Sequence, residues 1–271
     1  MLPPLDRSHL RFRRPSALVL GALALTSACR RTDAHERDTA RAGRTAAIAA
    51  TAGRYRAEPI PAPGRVTGTI RIGGDVPADT VVRPTSDAEV CGSAFLDASL
   101  DRGDRTLGGA VVWLEGVAAG KPMPLVRRYD VTHDRCRLLP RVQGAVVGGT
   151  LNIRSLDRTT HRTRITRAGD FEPLAVVTET EDGQVVPVER VLDAPGPLEL
   201  TCAAHPWTRA FVAVFDHPYF AVTAREGGFE IDSVPPGTYT LKVWHERFPP
   251  VARQITVAAN GVEVIDLELR R

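Results

Sequence analysis

Short runs rich in β-branched residues, many of them with alternating apolar and polar positions, follow one another from residue 64 to the end of the chain, separated by Gly, Pro, Asp and Asn. Alternation of this kind, rich in β-branched and aromatic residues, is typical of half-buried strands. A helical turn is predicted only within residues 85–95, and no run has the period of a long amphipathic helix. The sequence therefore predicts an all-β fold of two small β-sandwiches. The predicted strands include VTGTIRI, AVVWLEG, TLNIRS, LAVVTET, PLELTC, AFVAVF, FEIDSV, TYTLKVW, ARQITVA and VEVIDLEL.

The first 28 residues have the pattern of a secretory signal peptide. Four arginines precede an apolar run at residues 17–25, which is too short to span a bilayer, and small residues lead to Cys29. The stretch LTSAC resembles a bacterial lipobox, in which the cysteine carries lipid and begins the mature chain. An ordinary signal peptide with an incidental Cys29 is the alternative, and either one predicts export.

Residues 29–63 are predicted to be a disordered tether. They are rich in Arg, Ala, Thr and Pro and contain almost no large apolar side chain, so they cannot bury enough surface to offset the entropy of ordering. A flexible chain of this length would hold the globular part roughly 30 Å from a lipid anchor.

The position of the charges excludes one class of partner. The whole chain carries +3, but its first 63 residues contain eleven arginines against five acids, which leaves −3 for residues 64–271. A mildly acidic folded part argues against binding to nucleic acid.

The four cysteines are Cys29, Cys91, Cys136 and Cys202. If Cys29 carries lipid, three remain in an oxidising compartment, and one of them must stay unpaired. We predict a disulfide between Cys91 and Cys136, because Cys202 lies in a segment typical of a metal-ligand loop. Spacing alone leaves a disulfide through Cys202 open.

The segment LELTCAAHPW places Cys202 and His205 three residues apart between two predicted strands. A type 1 copper site needs a thiolate and two imidazoles in a trigonal plane, with a weak axial ligand. His161, which follows a predicted strand and turn, is the natural third ligand. The order His, then Cys-x-x-His, resembles that of plastocyanin-like cupredoxins.

The last part of the chain has its own signature. The run GGFEIDSVPPGTYTLKVW predicts two strands, each preceded by a tight turn. It resembles the carboxypeptidase regulatory-like domain, a transthyretin-like β-sandwich. We predict a cupredoxin-like Greek-key sandwich over residues 64–217 and this smaller sandwich over 218–271. The strand within residues 65–75 resembles the first strand of the same family. The alternative is therefore that the smaller sandwich is split in the sequence and the other domain is inserted into it.

Over most of residues 65–250 the chain resembles a group of exported bacterial proteins that join these two domains. The matching pieces are DAEVCG, AVVWLEG, the segment 136–140, CAAHPW, DHPYFAVT and VWHE. The resemblance implies copper-dependent electron transfer or copper handling in the periplasm or at the cell surface, with a redox protein or copper chaperone as partner. Arg30 stands where an Asp retains many bacterial lipoproteins in the inner membrane, which favours the outer membrane.

The chain departs from this group around the predicted site. Thr208 stands where the group has an axial Met, Arg141 replaces a His, and Ser155 and Arg162 replace Asn. The axial thioether is therefore missing. The main alternative is that the sandwich has lost its metal and serves to bind proteins or glycans. Another alternative is that the same ligands bind zinc.

No sequence pattern favours an enzyme. The chain has no nucleophile elbow, no phosphate-binding Gly-rich loop and no His-Glu-x-x-His motif. Among the other histidines, His217 and His245 lie beside aromatic residues and are predicted to be hydrogen-bonded at the domain junction. His133 is expected to be a solvated residue of a polar loop.

Overall fold

The computed structural model of the protein describes residues 55–271. The predicted signal peptide, the lipidation at Cys29 and most of the predicted tether lie outside the described residues. No helix within residues 55–271 has both the length and the apolar character needed to cross a membrane.

The described part of the chain is built almost entirely of strands. In chain order they are β1 (Arg56–Ala57), β2 (Gly64–Ile72), β3 (Val81–Val82), β4 (Phe95–Leu96), β5 (Val111–Glu115), β6 (Ala119–Gly120), β7 (Arg128–Asp134), β8 (Arg137–Leu139), β9 (Val142–Val146), β10 (Thr150–Ser155), β11 (His161–Arg167), β12 (Ala175–Glu179), β13 (Val185–Val188), β14 (Gly196–Cys202), β15 (Arg209–Phe215), β16 (Phe220–Val222), β17 (Gly228–Val234), β18 (Gly237–His245), β19 (Phe248–Val257), β20 (Val262–Val264) and β21 (Leu267–Leu269). One α-helical turn, α1 (Ala88–Cys91), and one 3₁₀ turn (Ala98–Leu100) lie between β3 and β5. The prediction of an all-β fold is confirmed.

Strands β7–β15 form one sandwich. One sheet has the order β13-β10-β7-β8 and the other β12-β11-β14-β15-β9, with parallel pairs at β10/β7 and β15/β9. Alternate residues of both sheets meet in a closed apolar core that includes Val131, Ile153, Ile165, Leu200 and Val212. Burial of this shared face is what holds the two sheets together.

The remaining long strands form the second sandwich. Its sheets have the orders β16-β5-β18-β19 and β17-β2-β20, and β21 pairs with the other half of β2. Strands β2 and β5 precede the first sandwich in the chain, yet they pair with strands that follow it. The first sandwich is thus inserted between β5 and β16. The predicted range 64–217 placed β2 and β5 with the cupredoxin-like strands, whereas their pairing places them in the second sandwich.

Two continuous apolar runs explain how the sandwiches join. In β5, Val112 and Leu114 face the core of the second sandwich, while Val111 and Trp113 face away from that core. In β15, alternate residues face the core of the first sandwich and the opposite side of the sheet. The outward side chains meet in a third buried cluster, at the junction, formed by Val111, Trp113, Phe211, Ala213, Phe215 and Trp244. A strand buried on both faces needs apolar residues at every position, which is why these two runs lack alternation.

The chain enters the fold before the predicted end of the tether. β1 pairs in parallel with β6, and the Tyr55 ring packs edge-on against Tyr219. The tether was predicted to extend to residue 63, whereas residues 56–58 are held here by main-chain hydrogen bonds.

Candidate metal centre

The predicted ligands lie together at one end of the first sandwich. His161 opens β11, Cys202 closes β14, and His205 lies in the turn that leads to β15. Cys202 is directly opposite Thr163 in the antiparallel β11/β14 pair, so His161, two residues from Thr163, lies on the same face of the sheet. The strand register therefore brings together residues that are 41 positions apart in sequence.

The donor atoms of these residues form a small triangle. The Cys202 Sγ lies 3.8 Å from His161 Nδ1 and 3.5 Å from His205 Nδ1, and the two Nδ1 atoms are 3.1 Å apart. All three side chains are buried. Metal bonds of about 2.0 Å to nitrogen and about 2.3 Å to sulfur, the values for zinc, would place such donors roughly 3–4 Å from one another. The triangle therefore fits a single first-row metal ion without rearrangement.

Cys202 is the free cysteine among the described residues, since Cys91 and Cys136 are joined in a disulfide. Burial alone would raise the pKa of the Cys202 thiol. A hydrogen bond with His161 and main-chain N–H groups at Arg162, Ala204 and His205 outweigh burial, and the pKa is lowered. Donors that stabilise the thiolate prepare the sulfur to act as a metal ligand.

Each histidine is oriented by a carboxylate on its far side. His161 Nε2 lies 3.0 Å from Asp157 Oδ2, and His205 Nε2 lies 3.2 Å from Asp87 Oδ2. In a neutral imidazole, a carboxylate at Nε2 favours the tautomer with its proton there, which makes Nδ1 the atom that can bind a metal. The sequence patterns had not indicated either Asp. Asp157 is four residues before His161 in the same turn, and that spacing is the only local signal.

Protonation of the two imidazoles differs in the metal-free protein. Burial lowers the pKa of His161, but hydrogen bonds with Asp157 and Cys202 outweigh it and raise the pKa to about 9. Burial lowers the pKa of His205, and Asp87 only partly offsets this. His161 therefore holds the proton that a metal ion would displace.

Asp157 also stabilises the turn between β7 and β8. Arg135 and Cys136, its two central residues, both have positive φ, at 51° and 55°, as a type I′ hairpin turn requires. Neither is a glycine, so the conformation is costly. The Asp157 carboxylate compensates by accepting the N–H of Arg135 at 2.6 Å and that of Cys136 at 2.8 Å. One carboxylate thus fixes both a ligand and the turn that carries the disulfide.

The predicted axial position holds no thioether. Thr208 is buried, and its hydroxyl donates to the main-chain carbonyl of Cys136. It ties the ligand loop to the β7–β8 turn. At Arg162, where the resemblance implies Asn, the main-chain carbonyl accepts the N–H of Ala203 at 2.9 Å and joins the two segments that carry His161 and Cys202.

The expectation that His133 is a solvated loop residue is wrong. It lies on β7, is fully buried, and its ring is stacked on that of His161 with centroids 3.8 Å apart. Its Nε2 lies 2.7 Å from the Thr163 hydroxyl, which in turn contacts the buried Glu179. Alternation along β7, where Tyr129, Val131 and His133 share one face, was the signal for this burial.

Within residues 55–271, His217 and His245 lie away from the triangle and are hydrogen-bonded. His217 Nδ1 accepts the N–H of Tyr219, and His245 Nδ1 accepts the N–H of Arg247. His245 borders the junction, where Arg141 forms a two-bond ion pair with Glu246.

Comparison with family models supports the prediction for the last part of the chain. The model of the carboxypeptidase regulatory-like domain matches residues 203–270. Similar solved structures include a mutant of amicyanin in its Cu(I) form, with 17% identity over 32% of this chain and 82% of that chain, and a TM-score of 0.28. They also include a novel purple cupredoxin from Nitrosopumilus maritimus, with 16% identity over 32% of this chain and 99% of that chain, and a TM-score of 0.26.

A copper-containing nitrite reductase from Thermus scotoductus SA-01 is similar at 20% identity over 38% of this chain and 24% of that chain, with a TM-score of 0.29. No curated protein matches the chain in a sequence search. The predicted resemblance to the carboxypeptidase regulatory-like domain is confirmed over residues 203–270.

Proposed function

We propose that this protein binds one copper ion through His161, Cys202 and His205 and carries electrons or copper outside the cytoplasm. The observation that carries the proposal is the buried triangle of one sulfur and two nitrogen atoms, 3.1–3.8 Å apart, formed by side chains from two separate segments. A free cysteine in an exported protein, placed between two imidazoles, is otherwise hard to explain.

The kind of donors favours copper over zinc. Structural zinc is almost always held by four ligands in a tetrahedron, whereas one thiolate and two imidazoles in a trigonal arrangement are typical of copper sites that transfer electrons. Within residues 55–271 the group that contains all three predicted ligands has no fourth His, Cys or carboxylate member. The Thr208 hydroxyl, at the position predicted for the axial ligand, is turned to a main-chain carbonyl.

Bound copper would supply one-electron chemistry by changing between its two oxidation states. The protein's part is to hold the ligands in nearly the same place in both states. Main-chain N–H groups at Cys202 and the carboxylates of Asp87 and Asp157 fix the three side chains from outside. A site held in this way needs little movement when the charge of the ion changes.

The proposal includes export and anchoring through lipid at Cys29, with the folded part in the periplasm or at the cell surface and the outer membrane as the preferred anchor site. A redox protein or a copper chaperone is the proposed partner. We propose a carrier and not an enzyme.

Metal content tests the proposal directly. The chain from residue 30 onward would be equilibrated with Cu(I), Cu(II) or Zn(II), desalted and analysed for metal. We expect one copper per chain in the wild type and in His217→Gln, which alters a buried histidine away from the triangle, and no stoichiometric copper in Cys202→Ser or His161→Gln. No copper in the wild type would support the metal-free alternative, and retention of zinc alone would support a zinc site.

A further inference from the structure

The segment of residues 81–96 lies over the far edge of His205. Its two ends are paired, Val81 with Leu96 and Val82 with Phe95, so it forms a closed loop. Of its sixteen residues, all of which the structure describes, only Cys91 is buried. A segment with so little buried apolar surface cannot be held to the protein by its own packing.

Two connections attach the middle of this segment to the sandwich. The first is the disulfide from Cys91, at the end of α1, to Cys136 in the β7–β8 turn. The second is the carboxylate of Asp87, which lies 2.9 Å from the Thr159 hydroxyl and 3.2 Å from His205 Nε2. Near one end, the Arg137 guanidinium also lies over the Phe95 ring.

The conformation of Asp87 is unusual for its place at the start of a helix. An Asp in this position ordinarily accepts a main-chain N–H of the first turn. Here Asp87 has φ 51° and ψ 40°, in the left-handed region, and its side chain makes no such bond. A strained residue that gives up its local hydrogen bond in favour of two distant partners is a mark of a positioning role.

Burial of His205 follows from this arrangement. Its Nδ1 faces Cys202 and His161, while its Nε2 edge meets Asp87 of the loop. The imidazole is fully buried, although the Asp87 side chain that covers it is 35% exposed. The loop is thus the layer between the Nε2 edge of His205 and solvent.

We propose that residues 81–96 form a cover over the metal centre, in which Asp87 positions His205 and the Cys91–Cys136 disulfide holds the cover closed. The inference rests on the proposed copper site for its functional meaning. The closed cover slows the exchange of copper with chelators and partners. A copper donor or acceptor that reaches the site by way of His205 must displace Asp87.

Four proteins test the cover, each as the chain from residue 30 onward: wild type, Asp87→Ala, Asp87→Asn and Cys91→Ser/Cys136→Ser. Glu89→Ala is the matched control, because it removes an exposed acid from the same helical turn. Copper release to excess chelator is followed by metal analysis. We expect release about 10–100-fold faster in Asp87→Ala and in the cysteine pair, an intermediate rate in Asp87→Asn, and the wild-type rate in Glu89→Ala.

Hydrogen–deuterium exchange of the metal-free proteins gives a readout that does not need copper. Loss of the disulfide or of the Asp87 carboxylate should speed exchange in peptides from residues 81–96 and 203–208 and leave the strands of the second sandwich unchanged. Unchanged exchange in both variants, or copper release equal to that of Glu89→Ala, would overturn the cover. If none of these proteins binds copper, the proposed function fails. The hydrogen–deuterium exchange of residues 81–96 still decides whether the cover exists.

Discussion

The imidazole of His133 lies parallel to that of His161, with ring centroids 3.8 Å apart and an angle of 9° between the ring planes. His161 belongs to the donor triangle, whereas His133 directs its Nε2 to the Thr163 hydroxyl. His133 is therefore a stacked neighbour of His161 and does not belong to the group formed by His161, Cys202 and His205.

Substitutions at His133 distinguish a residue that only supports His161 from one that itself binds the metal. His133→Phe keeps a flat ring against His161 and should retain one copper per chain, while His133→Ala leaves a cavity beside the ligand and should weaken copper binding about 10-fold or more. Competition with a chelator of known affinity measures both. Complete loss of copper in His133→Phe would mean that His133 is a ligand and that the triangle is incomplete.

Asp157 has three partners, so its carboxylate should matter for both copper affinity and stability. Asp157→Asn removes the charge that faces His161 and weakens the bonds to the N–H groups of Arg135 and Cys136. We expect copper affinity to fall about 10–100-fold and the melting temperature to fall as well. Asp170→Asn, which alters an exposed Asp, is the control. An affinity in Asp157→Asn equal to that of this control would contradict the orienting role.

The ion pair of Arg141 and Glu246 links the two sandwiches, with Nε–Oε1 and Nη2–Oε2 distances of 2.6 and 2.8 Å. Both side chains are mostly buried, at 17% and 9% exposure. Removing one partner leaves the other charge buried, so Arg141→Ala should lower the free energy of unfolding by about 3 kcal/mol. Arg141→Met/Glu246→Leu should recover much of the loss in denaturant unfolding. A double variant that is less stable than Arg141→Ala would contradict this.

His245 should make stability fall in acid. Its pKa is lowered from 6.5 to about 3, mainly by burial, with a smaller contribution from the nearby Arg141 and Arg247. The unfolded chain therefore binds a proton between pH 6.5 and 3 that the folded chain does not, and stability decreases as pH falls through this window. One such group contributes a slope of about 1.4 kcal/mol per pH unit.

The measurement is the free energy of unfolding of the wild type and of His245→Gln at several pH values from 7 to 4. The variant is expected to be less stable at pH 7 and to lose less stability on acidification. Parallel curves for the two proteins would show that His245 does not titrate in this way.

The sequence predicted that His161, Cys202 and His205 belong to one site because Cys202 and His205 share one turn and His161 follows the predicted strand TLNIRS and a turn. It did not predict Asp87, whose role depends on a loop folded across the site 118 residues before its partner His205. The hydrophobic pattern also left open whether one sandwich is inserted into the other. Strand β5 reads as a uniform apolar run, and such a run does not reveal which sheet it joins.

Visible absorption of the copper-loaded chain, with Cys202→Ser as the comparison, is the measurement that decides whether the Cys202 sulfur binds copper. We expect an intense band from a bond between Cu(II) and the Cys202 sulfur, at one copper per chain, that disappears in Cys202→Ser. A wild-type protein that binds no copper, or that binds it without such a band, would contradict a thiolate copper centre at His161, Cys202 and His205.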